Sequence, residues 1–157
     1  MAIDEAQRAQ MRVAYRDRSA IEWTLENVLL GSPISAPSRE QLIVDALRLS
    51  AEASSGWIDI GTRDNFSKYA ADTEVPVVIV AGELDRVDPP PVVKAHIVPQ
   101  YPTAQVSLLP NRGHLLPVEA PHEVATLITF MADTRISAPQ TAKSTKRSTT
   151  PTMKSLN

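Results

Sequence analysis

The sequence predicts an α/β fold in which a helical N-terminal segment precedes two parallel strands with flanking helices. Three observations support this fold class. Apolar residues recur at helical spacing in the first half of the chain, residues 75–82 form a β-branched run, and a strand–helix–strand–helix order follows. The chain has 157 residues, 43% of them hydrophobic, so it is long enough to build a core.

Two helices are predicted in the N-terminal half from serine-led capping boxes. Ser19 precedes Glu22, and Ser38 precedes Gln41, each at the spacing of that motif. The predicted apolar faces are Ile21, Leu25, Val28 and Leu29 in the first helix and Leu42, Ile43, Ala46, Leu47 and Leu49 in the second. We expect a further helix over residues 3–15, a short helix over residues 65–71 and no strand before Val75.

The chain changes character at Val75, where Val-Pro-Val-Val-Ile-Val-Ala-Gly forms an uncharged run. Such a run is typical of a strand buried on both faces of a parallel sheet. We then expect a crossover helix over residues 92–98, a second strand over residues 106–109 and a turn over residues 110–113. A final helix from Pro121 is predicted to bury Val124, Leu127, Ile128 and Met131. Two parallel strands leave open edges, so the sequence indicates part of a larger sheet.

The residue types give no support for metal or cofactor chemistry. The sequence has no cysteine, which excludes disulfides and thiolate metal sites. The three histidines, His96, His114 and His122, do not have the spacing of metal ligands. We therefore predict no metal and no cofactor.

Charge is distributed unevenly along the chain. The net charge is -2, but five of the 16 basic residues and none of the 18 acidic residues lie after Asp133. Residues 1–133 are therefore acidic, which is a poor match for nucleic acid. Residues 134–157 form a basic tail rich in Ser, Thr, Pro and Lys, a composition that predicts disorder. An anchor for nucleic acid or anionic lipid is the alternative for this tail.

The sequence shows no signal for export or membrane insertion. No stretch approaches the roughly 18 apolar residues that a membrane-spanning helix needs. Met1 is followed by Ile3, Asp4 and Glu5 rather than by a basic and then apolar signal. We therefore expect a cytoplasmic protein without a membrane partner.

Two loops that follow the predicted strands carry an acid and a histidine. The string Gly-Glu-Leu-Asp ends at Asp85, and Arg-Gly-His ends at His114. Parallel strands end at one edge of a sheet, where catalytic groups collect. We expect Asp85 to accept a hydrogen bond from one imidazole nitrogen of His114, leaving the other as a general base. Asp88 is an alternative for the acid.

These loops resemble the last third of α/β-hydrolase-fold enzymes. The matching strings are Val-Pro-Val-Val-Ile-Val-Ala-Gly-Glu-Leu-Asp-Arg-Val-Asp-Pro and Leu-Leu-Pro-Asn-Arg-Gly-His-Leu-Leu-Pro-Val-Glu-Ala-Pro. In that family the acid follows a strand in Gly-x-x-Asp, and the histidine lies in a Gly-His turn before the final helix. The resemblance covers about residues 75–132 and implies that Asp85 is the triad acid and His114 the triad base.

The same resemblance implies a domain organisation. Residues 1–72 are similar to a helical cap, residues 73–133 to the C-terminal core segment of the hydrolase sheet, and residues 134–157 remain as the disordered tail. In such a cap, Trp23 and Trp57 are candidates for lining the substrate pocket. The alternative is that both tryptophans are core residues.

The nucleophile of the family is missing from the sequence. It occupies a Gly-x-Ser-x-Gly elbow, and no two of the five glycines have that spacing. Gly56 and Gly61 flank Asp59, but they lie too far apart and no strand is predicted before them. The N-terminal oxyanion-hole loop is absent as well. We therefore expect a truncated chain that retains a triad remnant and is inactive alone.

Two principal hypotheses for function follow. The first is hydrolysis of ester or related bonds in small molecules by a Ser-His-Asp mechanism, once the missing segment is supplied. The alternative is a non-catalytic interaction module whose open sheet edge pairs with a partner chain or a second copy. Tethering to nucleic acid or membrane through the basic tail ranks below both.

Overall fold

The N-terminal half of the molecule is helical. The structure, a computed structural model, describes residues 3–70 and 72–137. Its first helices are α1 (Glu5–Ala14), α2 (Arg18–Thr24), α3 (Ala36–Leu47), α4 (Ala51–Asp59) and α5 (Ser67–Ala70). A π-helical turn, Leu25–Leu29, extends α2, and a 3-10 turn, Gly61–Arg63, follows α4.

The C-terminal half alternates strands and helices in the predicted order. Its elements are β1 (Val78–Gly82), α6 (Pro90–Val92), β2 (Gln105–Leu109), α7 (Leu116–Glu119) and α8 (Pro121–Ser137). A π turn, Val93–Ile97, and a 3-10 turn, Val98–Gln100, continue α6 toward β2. The two strands are parallel, with Val78 opposite Gln105 and Gly82 opposite Leu109. Both strands therefore end at the same edge, and the loops that follow them are neighbours.

Some elements differ from the sequence expectations at their ends. β1 begins at Val78 rather than Val75, because Pro76 has no N–H to donate. The ladder starts where the Val77 carbonyl accepts from the Gln105 amide at 3.0 Å. The sequence does not predict α4, whose signal is weakened by Gly56 in its interior.

Both predicted capping boxes are wrong, because acceptors further upstream cap the two helices. Asp17 Oδ1 accepts from the Ala20 amide at 2.9 Å, so α2 begins before Ser19. Ser35 Oγ accepts from the Ser38 amide at 3.2 Å, which places Ser38 inside the first turn of α3. A capping box does form at the start of α1, between Asp4 and Gln7.

The apolar core of the helical half lies between α2 and α3. Ile21, Leu25 and Ile43 are fully buried and pack together. Around them lie the partly buried side chains of Leu29, Leu30, Leu42, Ala46 and Leu115. Leu115 directly follows His114, so this core also fixes the loop after β2. Leu47 and Leu49 are exposed rather than buried, because α3 ends at Leu47 and Leu49 leaves the helical register.

The two strands are unevenly covered. Ala81 and Gly82 at the end of β1 are buried, whereas Val106 and Leu108 of β2 have exposed fractions of 55% and 51%. β1, the strand predicted to be buried on both faces, is only partly buried from Val78 to Val80, so that prediction holds only at the end of the strand. The two exposed side chains of β2 lie on one face of a two-stranded parallel sheet.

The final helix runs longer than predicted. α8 continues to Ser137 and so enters the segment predicted as tail, while residues 138–157 lie outside the described residues. Val124, Leu127 and Met131 are half-buried, but Ile128, predicted on the same face, is exposed. Across residues 3–70 and 72–137, no helix combines the length and apolar composition needed to cross a bilayer.

The cap residue Asp17 makes the stability of α2 depend on pH. Its pKa is lowered, first by the hydrogen bond from the Ala20 amide and then by that from the Arg16 side chain. A folded-state pKa below the unfolded value of about 3.9 stabilises the fold above that value. The contribution is lost as the pH falls through the lowered folded-state pKa.

Asp17→Asn keeps a capping oxygen but removes its charge. We expect this variant to be less stable than the wild type at neutral pH, and the difference in free energy of unfolding to shrink toward about pH 3. Urea denaturation at both pH values measures this difference. A difference that is independent of pH would show that charge at the cap does not matter.

Candidate active site

Asp85 lies in the loop after β1, and its own backbone holds its carboxylate. The Asp85 amide donates to the Gly82 carbonyl at 3.2 Å, which turns the chain directly after the strand. Oδ1 of Asp85 accepts from the amides of Val87 at 2.8 Å and Asp88 at 3.0 Å. The side chain is only 8% exposed. One carboxylate oxygen is thus committed to the loop, and Oδ2 is left for a partner outside it.

That partner is His114. Its Nδ1 lies 2.9 Å from Asp85 Oδ2, so the structure pairs the histidine with Asp85 rather than with the alternative, Asp88. Because a carboxylate accepts hydrogen bonds, Nδ1 is the donor in this contact, and Nε2 is the ring nitrogen left for another partner. The His114 amide donates to the Leu29 carbonyl at 2.7 Å. The side chain is 35% exposed, which gives the ring access to a reactant.

Three glycines let the surrounding loops approach this closely. Gly31, Gly82 and Gly113 pack backbone against backbone. A Cβ on Gly82 would overlap the carbonyls of Gly113 and Arg112, and a Cβ on Gly31 would overlap the Gly113 amide. None of the three has a positive φ, so the requirement is space rather than backbone conformation. Asn111, with φ of 57°, forms the turn that returns the chain toward β1.

Glu119 is buried beside these glycines, with an exposed fraction of 6%. Its Oε2 accepts from the amides of Gly31 at 2.8 Å, Ser32 at 2.9 Å and Gly113 at 2.9 Å, and from the Ser32 hydroxyl at 3.2 Å. Its Oε1 accepts from the Leu115 amide at 3.1 Å. No sequence motif singles out Glu119. The available signal is one acid within the otherwise apolar string Leu-Leu-Pro-Val-Glu-Ala-Pro.

Residues 29–32, which we call the strap, join the helical half to the site. The Leu30 carbonyl accepts from Arg86 Nη1 at 3.0 Å, and Ser32 Oγ accepts from Arg112 Nη1 at 3.0 Å. Arg86 belongs to the loop after β1, and Arg112 to the loop after β2. With the bond from the His114 amide, both loops therefore hold the strap from the side of the sheet.

This arrangement is similar to that of several solved structures, although no protein-family model and no curated protein matches the chain. A bromoperoxidase from Bacillus anthracis has a TM-score of 0.72 and 15% identity, over 84% of this chain and 50% of its own. An esterase from Exiguobacterium antarcticum has a TM-score of 0.67 and 12% identity, over 79% and 46%. A carboxylesterase from Bacillus subtilis has a TM-score of 0.61 and 15% identity, over 84% and 47%. All are α/β-hydrolase-fold enzymes.

The chain has the α/β-hydrolase fold. It spans about half the length of each of these structures, as the C-terminal portion of the fold. Asp85 and His114 lie at the edge of the α/β-hydrolase sheet where the carboxyl ends of the strands meet, which is where open α/β sheets collect their functional groups.

Trp23 and Trp57 lie on the surface of this α/β-hydrolase portion. Each has an exposed fraction of 61%, so the alternative that they are core residues is wrong. The Trp57 ring occupies the space that a Cβ on Gly61 would need. A cavity of about 680 Å³ is lined instead by residues near α1, α5 and α6, among them Arg8, Phe66 and His96. Substrate contact by the two tryptophans stays a prediction.

Asp59 does not sit on a nucleophile elbow of the α/β-hydrolase type. It ends the helix α4 rather than following a strand, and it forms an ion pair with Arg12 at 2.5 Å. For metal binding, no three His, Asp or Glu side chains within residues 3–70 and 72–137 are grouped so that they could share an ion.

The contact between the glycines gives a direct test of the site. Gly82→Ala places a methyl group on backbone atoms of the loop after β2, which must shift to make room, so we expect a loss of about 1–3 kcal/mol in free energy of unfolding. The displaced loop should also weaken the contact between His114 and Asp85. Thermal or urea denaturation measures the first effect.

Gly56→Ala is the matched control. No heavy atom lies within 4 Å of its added Cβ, and Gly56 is in the interior of α4, so we expect a gain of about 0.5–1 kcal/mol. Equal effects of the two substitutions would show that the close packing at Gly82 is not needed.

Proposed function

We propose that this chain carries the acid and the base of a Ser-His-Asp hydrolase that cleaves ester or related bonds in small molecules. The observation that carries the proposal is the 2.9 Å contact between His114 Nδ1 and Asp85 Oδ2 at the carboxyl ends of parallel strands. The similar structures, which include two enzymes described as esterases, support the choice of reaction.

In the proposed reaction, Nε2 of His114 takes the proton of a serine hydroxyl as the serine oxygen attacks the carbonyl carbon of the substrate. The resulting imidazolium keeps its proton on Nδ1 and donates it in a hydrogen bond to Asp85, whose negative charge stabilises the ring. His114 then returns the proton to the leaving alcohol as the acyl-enzyme forms. A water molecule, activated by the same nitrogen, releases the acid.

The serine of this mechanism lies outside these residues. The sequence contains no Gly-x-Ser-x-Gly string, and the chain spans about half the length of the α/β-hydrolase structures that it resembles. We therefore propose that the 157-residue chain is inactive alone, and that the active species also contains a nucleophile-bearing segment, either on the same polypeptide or on a partner.

The proposal is tested on the native species, captured from its source with an antibody against residues 75–132. We expect the captured material to react with a fluorophosphonate probe and to hydrolyse p-nitrophenyl esters. Removing a general base costs about 10²- to 10⁴-fold in rate, so His114→Ala, introduced into the source gene, should lower hydrolysis by that factor. Asp85→Asn should lower hydrolysis in the same direction, because Nδ1 loses its charged acceptor.

His122→Ala is the matched control, because His122 is an exposed histidine on α8. It should retain activity within about a factor of two, as expected for a surface substitution away from the site. The purified 157-residue chain should not react with the probe. Captured material that fails to react, or activity that survives His114→Ala, would overturn the proposal.

The exposed, unpaired strand β2 favours a second function, in which the chain binds another protein chain. Val106 and Leu108 are more than half exposed, and the outer edge of β2 has no neighbouring strand within the described residues. An apolar, unpaired strand is a template for pairing with another chain. We propose as the alternative a non-catalytic module in which a second copy of the chain covers this edge.

Sedimentation of the purified chain tests the alternative. We expect a dimer for the wild type and a monomer for Val106→Lys/Leu108→Lys, because charges on an edge strand oppose pairing. Ile128→Lys, on an exposed position of α8, is the control and should remain dimeric. A wild-type chain that is monomeric at micromolar concentration excludes this alternative.

A further inference from the structure

Glu119 gathers backbone donors from two segments that are far apart in the sequence. Gly31 and Ser32 belong to the strap, whereas Gly113 and Leu115 flank His114. The carboxylate is 6% exposed and accepts five hydrogen bonds. Hydrogen bonds to a carboxylate are roughly twice as strong as those between neutral groups, so five of them together hold their donors in place.

The position of these donors matters for the histidine. The amides of the residues before and after His114 both donate hydrogen bonds to Glu119. The His114 amide itself donates to the Leu29 carbonyl of the strap at 2.7 Å. Three consecutive peptide groups are therefore anchored. Backbone anchoring on both sides restricts the direction in which the ring leaves the chain, and so the distance from Nδ1 to Asp85.

We propose that Glu119 is a positioning residue that holds the ring of His114 against Asp85 and couples it to the strap. The catalytic meaning of this role rests on the proposed function, but the role itself does not need a nucleophile. Glu119 acts through His114 and does not contact a substrate. The strap and the loop of His114 bond to the same carboxylate of Glu119. A movement of the helical half that displaces the strap would therefore also reorient the histidine.

The coupling is first tested on the wild-type 157-residue chain by hydrogen exchange of single amides. If Glu119 joins the strap to the histidine loop, the amides of Gly31, Ser32, Gly113 and Leu115 open together. We expect their protection factors to agree within about threefold. Protection of Gly113 and Leu115 that differs by more than tenfold from that of Gly31 and Ser32 would overturn the coupling.

Glu119→Gln tests the positioning. The glutamine oxygen can keep the four bonds of Oε2, but its NH₂ then faces the Leu115 amide, donor against donor. We expect the Nδ1 proton of His114, observed by NMR, to exchange with solvent at least about tenfold faster than in the wild type. If the variant does not fold, the comparison of amide protection in the wild-type chain alone decides whether the inference holds.

Ile58→Val is the control for stability alone, because Ile58 is buried in α4, lies outside the core that contacts Leu115, and makes no side-chain hydrogen bond to the site. It should lower the stability of the fold and leave the Nδ1 proton of His114 unchanged. If Glu119→Gln lowers stability but also leaves this proton unchanged, Glu119 is only structural and the inference fails. The two proposals can also fail separately. If Glu119→Gln speeds exchange of the Nδ1 proton but the native species does not react with fluorophosphonate, the hydrolase proposal fails and the positioning role of Glu119 stands.

Discussion

The contact of three glycine backbones is the constraint on which the rest of the site depends. Gly31 lies in the strap, Gly82 ends β1 and Gly113 lies in the loop after β2, and no Cβ fits among them. Only because these backbones touch can one buried carboxylate, Glu119, reach amides on both sides of His114 and in the strap. The short distance between His114 and Asp85 follows from the same approach, since it is set by where the loops cross.

The sequence predicts the pairing of Asp85 with His114 because its signals are local. A β-branched run and a following Gly-x-x-Asp are contiguous, and parallel strands must end at one edge, so Asp85 and His114 are brought together by topology alone. The choice between Asp85 and Asp88 needs the loop geometry. The Asp88 amide donates a hydrogen bond to Asp85 Oδ1, and this bond orients Oδ2 of Asp85 toward the ring of His114.

Features that depend on distant partners are not predictable in this way. Glu119 takes donors from Gly31 and Ser32, far earlier in the chain, and no spacing rule connects them. Helical periodicity correctly groups the side chains of α3 and α8 by face, but it does not show what covers each face, so Leu47 and Ile128 are exposed. The predicted capping residues are wrong for a related reason. Asp17 and Ser35 lie just upstream of Ser19 and Ser38, and each caps the first turn of the helix in its place.

Because of the π-helical turn that follows α2, the position of the site depends on the number of residues in this helix. The carbonyl of Leu29, the last residue of that turn, accepts from the His114 amide, and the carbonyl of Leu30, the next residue, accepts from the Arg86 guanidinium. Each residue added to a helix rotates everything after it by about 100°. A one-residue insertion or deletion in α2 would therefore turn both carbonyls away from the site, so the rotational phase of this helix is part of what keeps the histidine in place.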